Sequence, residues 1–575
     1  MNDVQLYFEF EDEEGKLHPL QFSDPINIIT AHHVNEVNDA FSLVEQALAE
    51  GCYVAGCVSY EAAPAFDSSY KVNKSSTWPL VWFGVFEKPL SQRLDHEILP
   101  YESSEWRMDG SFQEYKNGLN QIKDAIQKGD TYQVNYTTRL TSKFKGNTFS
   151  FYKQLTNNQK SGYSAYLNLG SNREILSASP ELFFRKNGTR LKTKPMKGTA
   201  RRGRTLEEDK VQKETLRKAE KEKAENLMIV DLLRNDIGKL AVSGTVKVPN
   251  LFDVETYPTV HQMTSTIEAI IEEKTTLHEI FQALFPCGSI TGAPKVRTMS
   301  YIAELESSAR DFYCGAIGYM TPTADAVFNV PIRTVLLDQD QAVYGTGGGV
   351  TWDSTPVGEY EEVLTKAQLL MEKRPDFQLL ESMKLEDGNF PLLSYHLIRL
   401  ENSTEYFQYQ YNKEKVEDQI ETLKHSYPRG LYKVRLLLHE NGTLNAETQE
   451  IDKSPESVFC SVAKESIDEN NPFLFHKTTY RSMYETHNRR NVYAVLLWNS
   501  REELTEFTIA NLVVKYQGHY FTPPVESGLL RGTYREKLLN NGKIKEKTLY
   551  KKNLDSFEEI WMINGVRGWV RVYLT

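Results

Sequence analysis

The chain has 575 residues, of which 40% are hydrophobic and 25% are charged, and it carries a formal net charge of −11. This composition is typical of a folded protein and excludes wholesale disorder. The length predicts more than one domain. The negative charge disfavours sequence-independent binding to nucleic acid, because the phosphates would be repelled.

The cysteines and the start of the chain indicate the compartment. No cysteine forms a CxxC pair, so neither a disulfide framework nor a zinc site is expected from Cys52, Cys57, Cys287, Cys314 and Cys460. The residues from Met1 to Val4 do not begin a basic stretch followed by an apolar core, so no signal peptide is expected. No apolar run is long enough to span a bilayer. We expect a reduced, cytoplasmic protein without membrane contact.

Apolar spacing predicts the elements of the first two thirds of the chain. Strands are expected over 4–10, 53–60 and 80–86, and a helix is expected over 111–129. A highly charged helix follows over 206–229, with an apolar end that should be buried. Strand-like segments with Gly-rich turns then reach about 352, and a helix covers 359–372.

A charged stretch that contains a proline, residues 373–376, is the predicted domain boundary. Beyond it we expect a strand over 377–384, a turn over 386–389 and a helix over 394–407. Short β runs such as 432–438 and 492–498 follow, and 534–540 is predicted to be helical. The predicted domains are residues 1–372 and 376–575.

Acidic residues of the first domain could hold a hard cation. Glu225 begins the apolar end of the charged helix, whereas Glu359 and Glu362 are three residues apart and share one helix face. Carboxylates without a neighbouring cysteine or histidine cluster suit Mg²⁺. Solvated acids in ion pairs are the alternative, and the pattern alone favours that alternative.

Two glycine-containing segments could bring their backbone close to a ligand. Residues 285–295 carry Gly and Pro and lead into a helix, so their N–H groups could bind a carboxylate or a phosphate. Residues 345–349 contain four glycines. Tight structural turns are the alternative for both segments.

Two single residues of the first domain could take part in chemistry. Lys197 follows the turn at Pro195 and, if partly buried, could offer its amine as a nucleophile. His261 could be a general base. A solvated lysine and a hydrogen-bonded structural histidine are the commoner outcomes.

The order of the motifs is more specific than any one of them. Nine segments occur together in one order, at 179–181 (SPE), 195–199 (PMKGT), 225–236, 260–261, 285–295, 315–319, 332–334, 345–349 and 359–367. In this order they resemble the chorismate-utilising family of anthranilate synthase component I and aminodeoxychorismate synthase component I. The resemblance implies a large α+β domain of packed antiparallel sheets flanked by helices.

The resemblance also implies roles for residues of the first domain. Lys197 would be the covalent nucleophile of the aminodeoxychorismate branch, where anthranilate synthases generally carry alanine, and Glu181 would be the proton donor. Mg²⁺ would be held by Glu225 and Glu362 with Glu359 nearby, and His261 would be catalytic. Chorismate would be bound by Thr291, Gly292, Ala293, Arg333, Gly348, Gly349 and Lys366. Since no cysteine has a glutaminase-like setting, ammonia would come from solution or from a separate glutamine amidotransferase subunit.

The second domain carries another ordered set of motifs, at 380–383 with 387–388, 396–400, 432–435, 476–479, 505–512 and 528–533. They resemble the class IV, pyridoxal-phosphate-dependent family that includes aminodeoxychorismate lyase. The resemblance implies an α+β class IV fold with the cofactor between two subdomains. Lys477 would attach pyridoxal 5'-phosphate (PLP) and Glu506 would pair with its ring nitrogen, while Arg399, Gly532 and Thr533 would bind its phosphate. Because class IV enzymes often dimerise, a homodimer through this domain would fit.

The two resemblances describe consecutive reactions. The first domain, a transferase, would aminate chorismate to 4-amino-4-deoxychorismate, and the second, a carbon–oxygen lyase, would eliminate pyruvate to give 4-aminobenzoate, a folate precursor. Three alternatives remain open: a synthase whose second domain is a non-catalytic assembly or binding module, an anthranilate synthase component I, and an enzyme that forms salicylate or isochorismate with water in place of ammonia.

Overall fold

The computed structural model describes residues 4–74, 77–91, 94 and 97–575. Residues 1–3 lie outside this range. They belong to the stretch for which the sequence analysis predicts no signal peptide. The described chain forms two compact units: the first runs up to Arg201 and from Lys213 to Arg374, and the second comprises Arg202–Gln212 and Pro375–Thr575. Within the described ranges, no helix is long and apolar enough to cross a membrane.

Twenty strands lie in the part of the first unit that the structure describes. Their bounds are β1 Gln5–Glu11, β2 Leu17–Ser23, β3 Asn27–Ala31, β4 Tyr53–Val58, β5 Val81–Phe86, β6 Tyr101–Ser103, β7 Arg107–Met108, β8 Gln133–Gly146, β9 Tyr163–Asn168, β10 Arg173–Ser179, β11 Leu182–Asn187, β12 Arg190–Lys194, β13 Met196–Arg201, β14 Lys247–Thr256, β15 Val260–Ile270, β16 Gly292–Ala293, β17 Ala316–Met320, β18 Ala326–Asn329, β19 Thr334–Asp338 and β20 Gln341–Val350.

The helices up to the domain boundary accompany these strands. Their bounds are α1 Val34–Ala49, α2 Phe112–Gln127, α3 Thr148–Gln159, α4 Leu206–Lys218, α5 Glu220–Gly238, α6 Leu277–Leu284, α7 Lys295–Leu305 and α8 Pro356–Ala367. The first seven residues of α4 belong to the second unit.

The strands of the first unit form two antiparallel sheets. One has the order β16-β8-β20-β19-β10-β9-β1-β2, and the other has the order β13-β15-β12-β11-β18-β17-β4-β5-β3. Their apolar faces pack together, since Phe8 and Phe10 of β1 lie 5.3 and 5.9 Å from the ring of Tyr319 on β17. The predicted α+β class with packed antiparallel sheets is therefore confirmed.

Helices α1, α5 and α6 cover the outer face of the second sheet and bury a large apolar cluster against it. Phe281 of α6 is fully buried at the centre of this cluster. Its ring contacts six other aromatic rings at centroid distances of 5.1–5.8 Å, those of Phe41, Phe66, Phe183, Phe184, Phe285 and Phe328.

The second unit contains eleven further strands and, apart from the start of α4, four helices among its described residues. The strands are β21 Leu379–Glu386, β22 Leu431–Leu438, β23 Leu444–Glu450, β24 Ser457–Val462, β25 Val495–Trp498, β26 Leu504–Phe507, β27 Ala510–Tyr516, β28 His519–Thr522, β29 Lys545–Glu546, β30 Glu559–Asn564 and β31 Gly568–Leu574. The helices are α9 Leu393–Phe407, α10 Lys413–Ser426, α11 Ser482–Glu485 and α12 Thr533–Asn540.

These strands form a small antiparallel sheet, β21-β22-β23, and an eight-stranded mixed sheet, β26-β25-β24-β31-β30-β27-β28-β29. In the mixed sheet, β24 is parallel to both β25 and β31, whereas β27 is antiparallel to β30. Separate apolar clusters stabilise the two sheets. The segment 202–212 belongs to this unit and contributes Leu206 to the cluster of the smaller sheet.

Two predicted helices differ from the structure. The charged stretch 206–229 is not a single helix, because Ala219 adopts an extended backbone (φ −66°, ψ 108°) that ends α4 and begins α5. Helix α5 then continues to Gly238, nine residues beyond the predicted end. The predicted helix over 359–372 begins earlier, at Pro356, because the Thr355 side chain accepts a hydrogen bond from the Gly358 N–H and caps the helix.

Phe281→Ala should lower the free energy of unfolding by about 3–5 kcal/mol, since it removes a ring from a fully enclosed site and leaves a cavity. Denaturant unfolding of the full chain measures this change. Phe459→Ala, at a side chain that is 62% exposed, is the matched control and should change the value by no more than about 0.5 kcal/mol. Equal effects of the two substitutions would contradict the packing described for α6.

Candidate active sites

A cavity of about 510 Å³ opens in the first unit. Strands β13 and β20 and helices α5 and α8 supply much of its wall. Nine of the residues that the sequence singles out line it together: Glu181, Lys197, Glu225, Arg333, Gly348, Gly349, Glu359, Glu362 and Lys366. Residues up to 185 positions apart in the sequence thus line one cavity. Their roles in the reaction stay predictions of the resemblance.

The glycines of β20 leave room for the amine of Lys197. Residues 345–349 lie inside this strand, which pairs with β8 from Gln341↔Lys143 to Val350↔Val134. A Cβ atom at Gly349 would lie 2.9 Å from Lys197 Nζ and 1.9 Å from Gln133 Nε2. A larger residue at 349 would therefore displace the amine from its position beside β20.

Glu181 is buried at the wall of the same cavity, and 2% of its surface is exposed. The Ser289 hydroxyl donates a hydrogen bond to its Oε1 at 2.5 Å. Burial raises the pKa of Glu181 to about 7, although Ser289 and Lys197 act in the opposite direction. Near neutral pH this carboxyl group therefore exists in both protonation states and can donate a proton.

Five acids gather on the helical side of the cavity: Glu222 and Glu225 on α5, and Glu359, Glu361 and Glu362 on α8. Burial raises the pKa of Glu225 and Glu359, and repulsion from neighbouring carboxylates adds to the shift. Their oxygen chemistry fits a hard cation such as Mg²⁺. Within the described residues, however, no three Asp, Glu, His or Cys side chains are assembled as a metal site, and Lys366 Nζ lies 2.7 Å from Glu362 Oε1.

Two cations face the glycine-rich strand. Lys366 Nζ donates to the Gly347 carbonyl at 2.7 Å, and Arg333 Nη1 donates to the Lys366 carbonyl at 3.0 Å. Arg333 itself has a left-handed backbone (φ 54°), which turns the chain as it enters β19. The pair supplies the positive charge that an anionic ligand in this cavity would need.

Four sequence-predicted residues do not line the cavity. Gly292 and Ala293 form the short strand β16, which pairs with Val134 and Gln133 of β8. The Thr291 hydroxyl donates to the Cys287 carbonyl at 3.1 Å.

His261 also lies behind the cavity wall. It is fully buried, and its Nδ1 lies 3.1 Å from the Thr256 hydroxyl. Its neighbours Val260 and Gln262 reach the cavity instead, as the alternation of side chains along β15 requires.

The sequence analysis missed two residues of this site. Ser289 lies within the 285–295 segment, but nothing in the sequence indicates its contact with Glu181. Glu222 precedes Glu225 by three residues on α5, so helical spacing alone could have placed both acids on one face.

A second cavity, of about 470 Å³, lies in the second unit. All five residues that the sequence assigns to cofactor binding line it: Arg399, Lys477, Glu506, Gly532 and Thr533. Burial lowers the pKa of Lys477 to about 7, and the positive charges of Arg399 and Arg481 add to this effect. A large fraction of its amine is therefore uncharged and nucleophilic near neutral pH.

Glu506 is buried on β26 and is held by three donors. The Tyr484 hydroxyl and the Leu530 N–H donate to its Oε1 at 2.9 and 3.2 Å, and Asn511 Nδ2 donates to its Oε2 at 3.0 Å. Burial raises its pKa to about 7. The carboxyl group is thus fixed in orientation and able to share a proton with a basic ring nitrogen. The sequence analysis missed Tyr484 as one of these donors.

Arg399 is held by a bidentate ion pair. Its Nε and Nη2 donate to Glu381 at 2.9 and 2.6 Å, and His396 Nδ1 lies 2.6 Å from the same carboxylate. Burial opposes ionisation of Glu381, but Arg399 and His396 outweigh it and lower the pKa of Glu381 to about 2. The guanidinium is therefore fixed at the cavity wall, where its Nη1 also donates to the Arg531 carbonyl at 3.3 Å.

Beside Arg399, the backbone at Gly532 passes close to the side chain of Asn511. Gly532 is the N-terminal cap of α12, and a Cβ atom there would lie 1.8 Å from Asn511 Oδ1. A helix N-terminus next to a fixed arginine has the donor chemistry that a phosphate group needs.

The geometry of the two units agrees with their families. Residues 91–372 match the family of chorismate binding enzymes, and residues 378–574 match the amino-transferase class IV family. The chain therefore carries a chorismate binding enzyme domain followed by a class IV aminotransferase domain, and the second family is PLP-dependent.

Curated relatives match the first domain. Aminodeoxychorismate synthase component 1 of Escherichia coli (strain K12) is 39% identical over 271 residues, which are 47% of this chain and 60% of that protein. Anthranilate synthase component 1 of Aquifex aeolicus (strain VF5) is 37% identical over 266 residues, 46% of this chain and 54% of that protein. The chain thus spans little more than half the length of these relatives.

A solved structure supports the fold of the first domain. Anthranilate synthase component I from Streptococcus pneumoniae TIGR4 superposes with a TM-score of 0.51 at 24% identity, covering 65% of this chain and 91% of that one. This likeness concerns the fold alone.

Ser289→Ala should raise the pKa of Glu181 above about 7, because it removes a donor that stabilises the carboxylate while burial remains. The carboxyl band in infrared difference spectra against pH measures the value, and Glu181→Gln identifies the band. Ser300→Ala, which removes a hydroxyl bonded to the Val296 carbonyl within α7, should leave it unchanged. A Glu181 titration that does not move in Ser289→Ala would contradict the assigned contact.

Arg399→Gln should weaken PLP binding and destabilise the fold, since Glu381 would lose its buried bidentate partner. The double variant Arg399→Gln/Glu381→Gln should recover stability, because no uncompensated carboxylate remains, yet still bind PLP weakly. Equilibrium dialysis gives the PLP dissociation constant, and thermal melts give the stability. If the double variant binds PLP as tightly as the parent, Arg399 does not bind the cofactor phosphate.

Proposed function

We propose that the chain converts chorismate into 4-aminobenzoate in two steps, one in each unit. The observation that carries the first step is the amine of Lys197 in the same cavity as Glu181, whose pKa is about 7. The class IV match and the cavity that contains Lys477 and Glu506 support the second step.

In the first step Lys197 Nζ attacks C2 of the chorismate ring. The double bonds shift, the C4–O bond breaks, and the hydroxide leaves as water after it takes a proton from Glu181. Ammonia then bonds to C4, the double bonds shift back, and the C2–N bond to Lys197 breaks. The proton that ammonia loses restores Glu181, so the balance is chorismate and ammonia to 4-amino-4-deoxychorismate and water.

Charged side chains orient the substrate in this step. Arg333 and Lys366 bind carboxylate oxygens of chorismate, and the glycines of β20 let the ring approach the backbone. Mg²⁺ would be held by Glu225 and Glu362 with Glu359 nearby, and it would offset the charge of the ring carboxylate. Ammonia comes from solution or from a separate glutamine amidotransferase subunit.

In the second step, PLP supplies an electron sink that stabilises negative charge developing on the substrate. Lys477 takes the proton from C4 of 4-amino-4-deoxychorismate. The bond between ring carbon C3 and the ether oxygen then breaks, pyruvate leaves after protonation, and the ring becomes aromatic. Glu506 would keep the ring nitrogen of the cofactor protonated, while Arg399 and the N-terminus of α12 would bind its phosphate.

Two single substitutions separate the steps. Lys197→Ala should abolish 4-amination of chorismate with free ammonia yet keep pyruvate release from added 4-amino-4-deoxychorismate. Lys477→Ala should keep amination and lose pyruvate release. Mass spectrometry of products from chorismate, Mg²⁺, ammonia and PLP measures both. Full amination by Lys197→Ala would refute covalent catalysis, and absence of pyruvate release by the parent would leave the second unit as a non-catalytic module.

Anthranilate formation is the second candidate for the first unit, because the Aquifex aeolicus relative matches at nearly the same identity. Anthranilate and 4-amino-4-deoxychorismate differ in the ring position that carries the new nitrogen. Anthranilate among the products, detected by its fluorescence, would favour this candidate. Lys197, which the resemblance assigns to the 4-aminating branch, argues against it.

A further inference from the structure

The cavity of the second unit contains more positive charge than a cofactor phosphate requires. Besides Arg399 and Lys477, four further cations line it: Lys433, Arg435, Arg481 and Arg567. Among the described residues of the wall, Glu506 is the one acid, and it is engaged by Tyr484, Asn511 and the Leu530 N–H.

These cations come from three separate elements. Lys433 and Arg435 are two residues apart on β22, so they project from the same face of the strand. Arg481 immediately precedes α11, and its guanidinium lies 4.5 Å from the centroid of the Tyr484 ring.

Arg567 sits in the turn between β30 and β31. This turn is fixed by the Asn564 side chain, which accepts from the Arg567 N–H at 2.8 Å, and by Ser454, whose hydroxyl donates to the Arg567 carbonyl at 2.8 Å. Side chains from distant parts of the sequence therefore converge on one space from anchored positions.

Three of the four cations lack a neutralising acid. Arg435 forms an ion pair with Glu447 at 2.6 Å. Lys433, Arg481 and Arg567 form no ion pair with any residue that the structure describes. All four cations line one cavity. Burial, followed by repulsion from Arg435, Arg567 and Arg481, lowers the pKa of Lys433.

The cluster is distinct from the phosphate end of the cavity. Arg399 is on α9 and contacts the Arg531 carbonyl just before α12, whereas Lys433 is on β22 and Arg567 is in the turn between β30 and β31. Different elements of the unit therefore carry the two groups of cations.

We propose that Lys433, Arg481 and Arg567 form a site for the carboxylates of a dianionic substrate, separate from the residues that bind the cofactor phosphate. The proposal rests on the lyase function proposed for this unit and deepens it by assigning the substrate's charge class. A compound with two carboxylates satisfies the cluster better than one with a single carboxylate, because charge-assisted hydrogen bonds to each anion add up.

The site also has a consequence for turnover. Elimination of pyruvate divides one dianion into two monoanions, since each product keeps one of the two carboxylates. The cluster then holds each product less firmly than it held the substrate, which favours product release.

The test uses the full chain loaded with PLP and two stable probes, 3-(1-carboxyethoxy)benzoate with two carboxylates and 3-ethoxybenzoate with one. The absorbance of the bound cofactor reports binding in the second unit specifically. The parent should bind the dicarboxylate more tightly. Arg567→Gln and Lys433→Gln should each weaken that binding by about tenfold and change the affinity for the monocarboxylate by less than about threefold.

Arg571→Gln is the matched control, because Arg571 lies four residues from Arg567, pairs with Glu559 at 2.8 Å and does not line the cavity. It should leave both affinities unchanged. Unaltered PLP content in the Gln variants establishes that they fold. The KM for 4-amino-4-deoxychorismate should rise in these variants while kcat changes little, since Arg567 and Lys433 would bind the substrate without transferring its proton.

The outcomes distinguish this site from the lyase proposal. A parent that releases pyruvate but binds both probes equally overturns the dianion site and leaves the lyase proposal standing. A parent that prefers the dicarboxylate through Arg567 and Lys433 but releases no pyruvate supports the site and overturns the lyase proposal. Gln variants that keep PLP and the full preference for the dicarboxylate also overturn the site.

Discussion

Removal of ionisable side chains from water is the constraint on which both cavities depend. In the first unit burial brings the pKa of Glu181 to about 7, and in the second unit it brings Lys477 and Glu506 to about the same value from opposite directions. Groups with pKa values near the working pH exchange protons most effectively. The folds must therefore stabilise buried polar groups, and they do so with well-placed donors such as Ser289 beside Glu181 and Tyr484 beside Glu506.

Backbone geometry creates the space in which these groups meet. In the first unit the glycines of β20 keep their hydrogen-bonding register with β8 while they leave the cavity side of the strand bare. In the second unit Gly532 performs a related task at the start of α12, where a side chain would collide with Asn511. Regular secondary structure thus continues through each site, so rigid strands and helices position the reactive atoms.

The sequence predicts the periodic elements and the residues of the cavities far better than the contacts among them. Helices with a clear apolar face, such as α2 and α9, lie within a few residues of their predicted bounds. The charged stretch 206–229 was mispredicted as one helix, because residues with high helix propensity carry no local signal for the break at Ala219. Cavity residues were found through the order of family motifs, whereas Ser289 and Arg567 depend on tertiary packing that no local pattern encodes.

The proposed function requires both sites to bind ligands that carry two carboxylates. In the proposed function, a dicarboxylate with a ring between its charges is bound twice, once where its C4 substituent is exchanged and once where its side chain is removed. Among the residues that the structure describes, the wall of the first cavity carries five cations and six acids, so its positive and negative charges nearly balance. In the second cavity the three cations Lys433, Arg481 and Arg567 outnumber the acids, since Glu506 is the one acid among the described residues of the wall. In the proposed function these cations bind the dianion, and they bind the two monoanionic products less tightly after the dianion is divided.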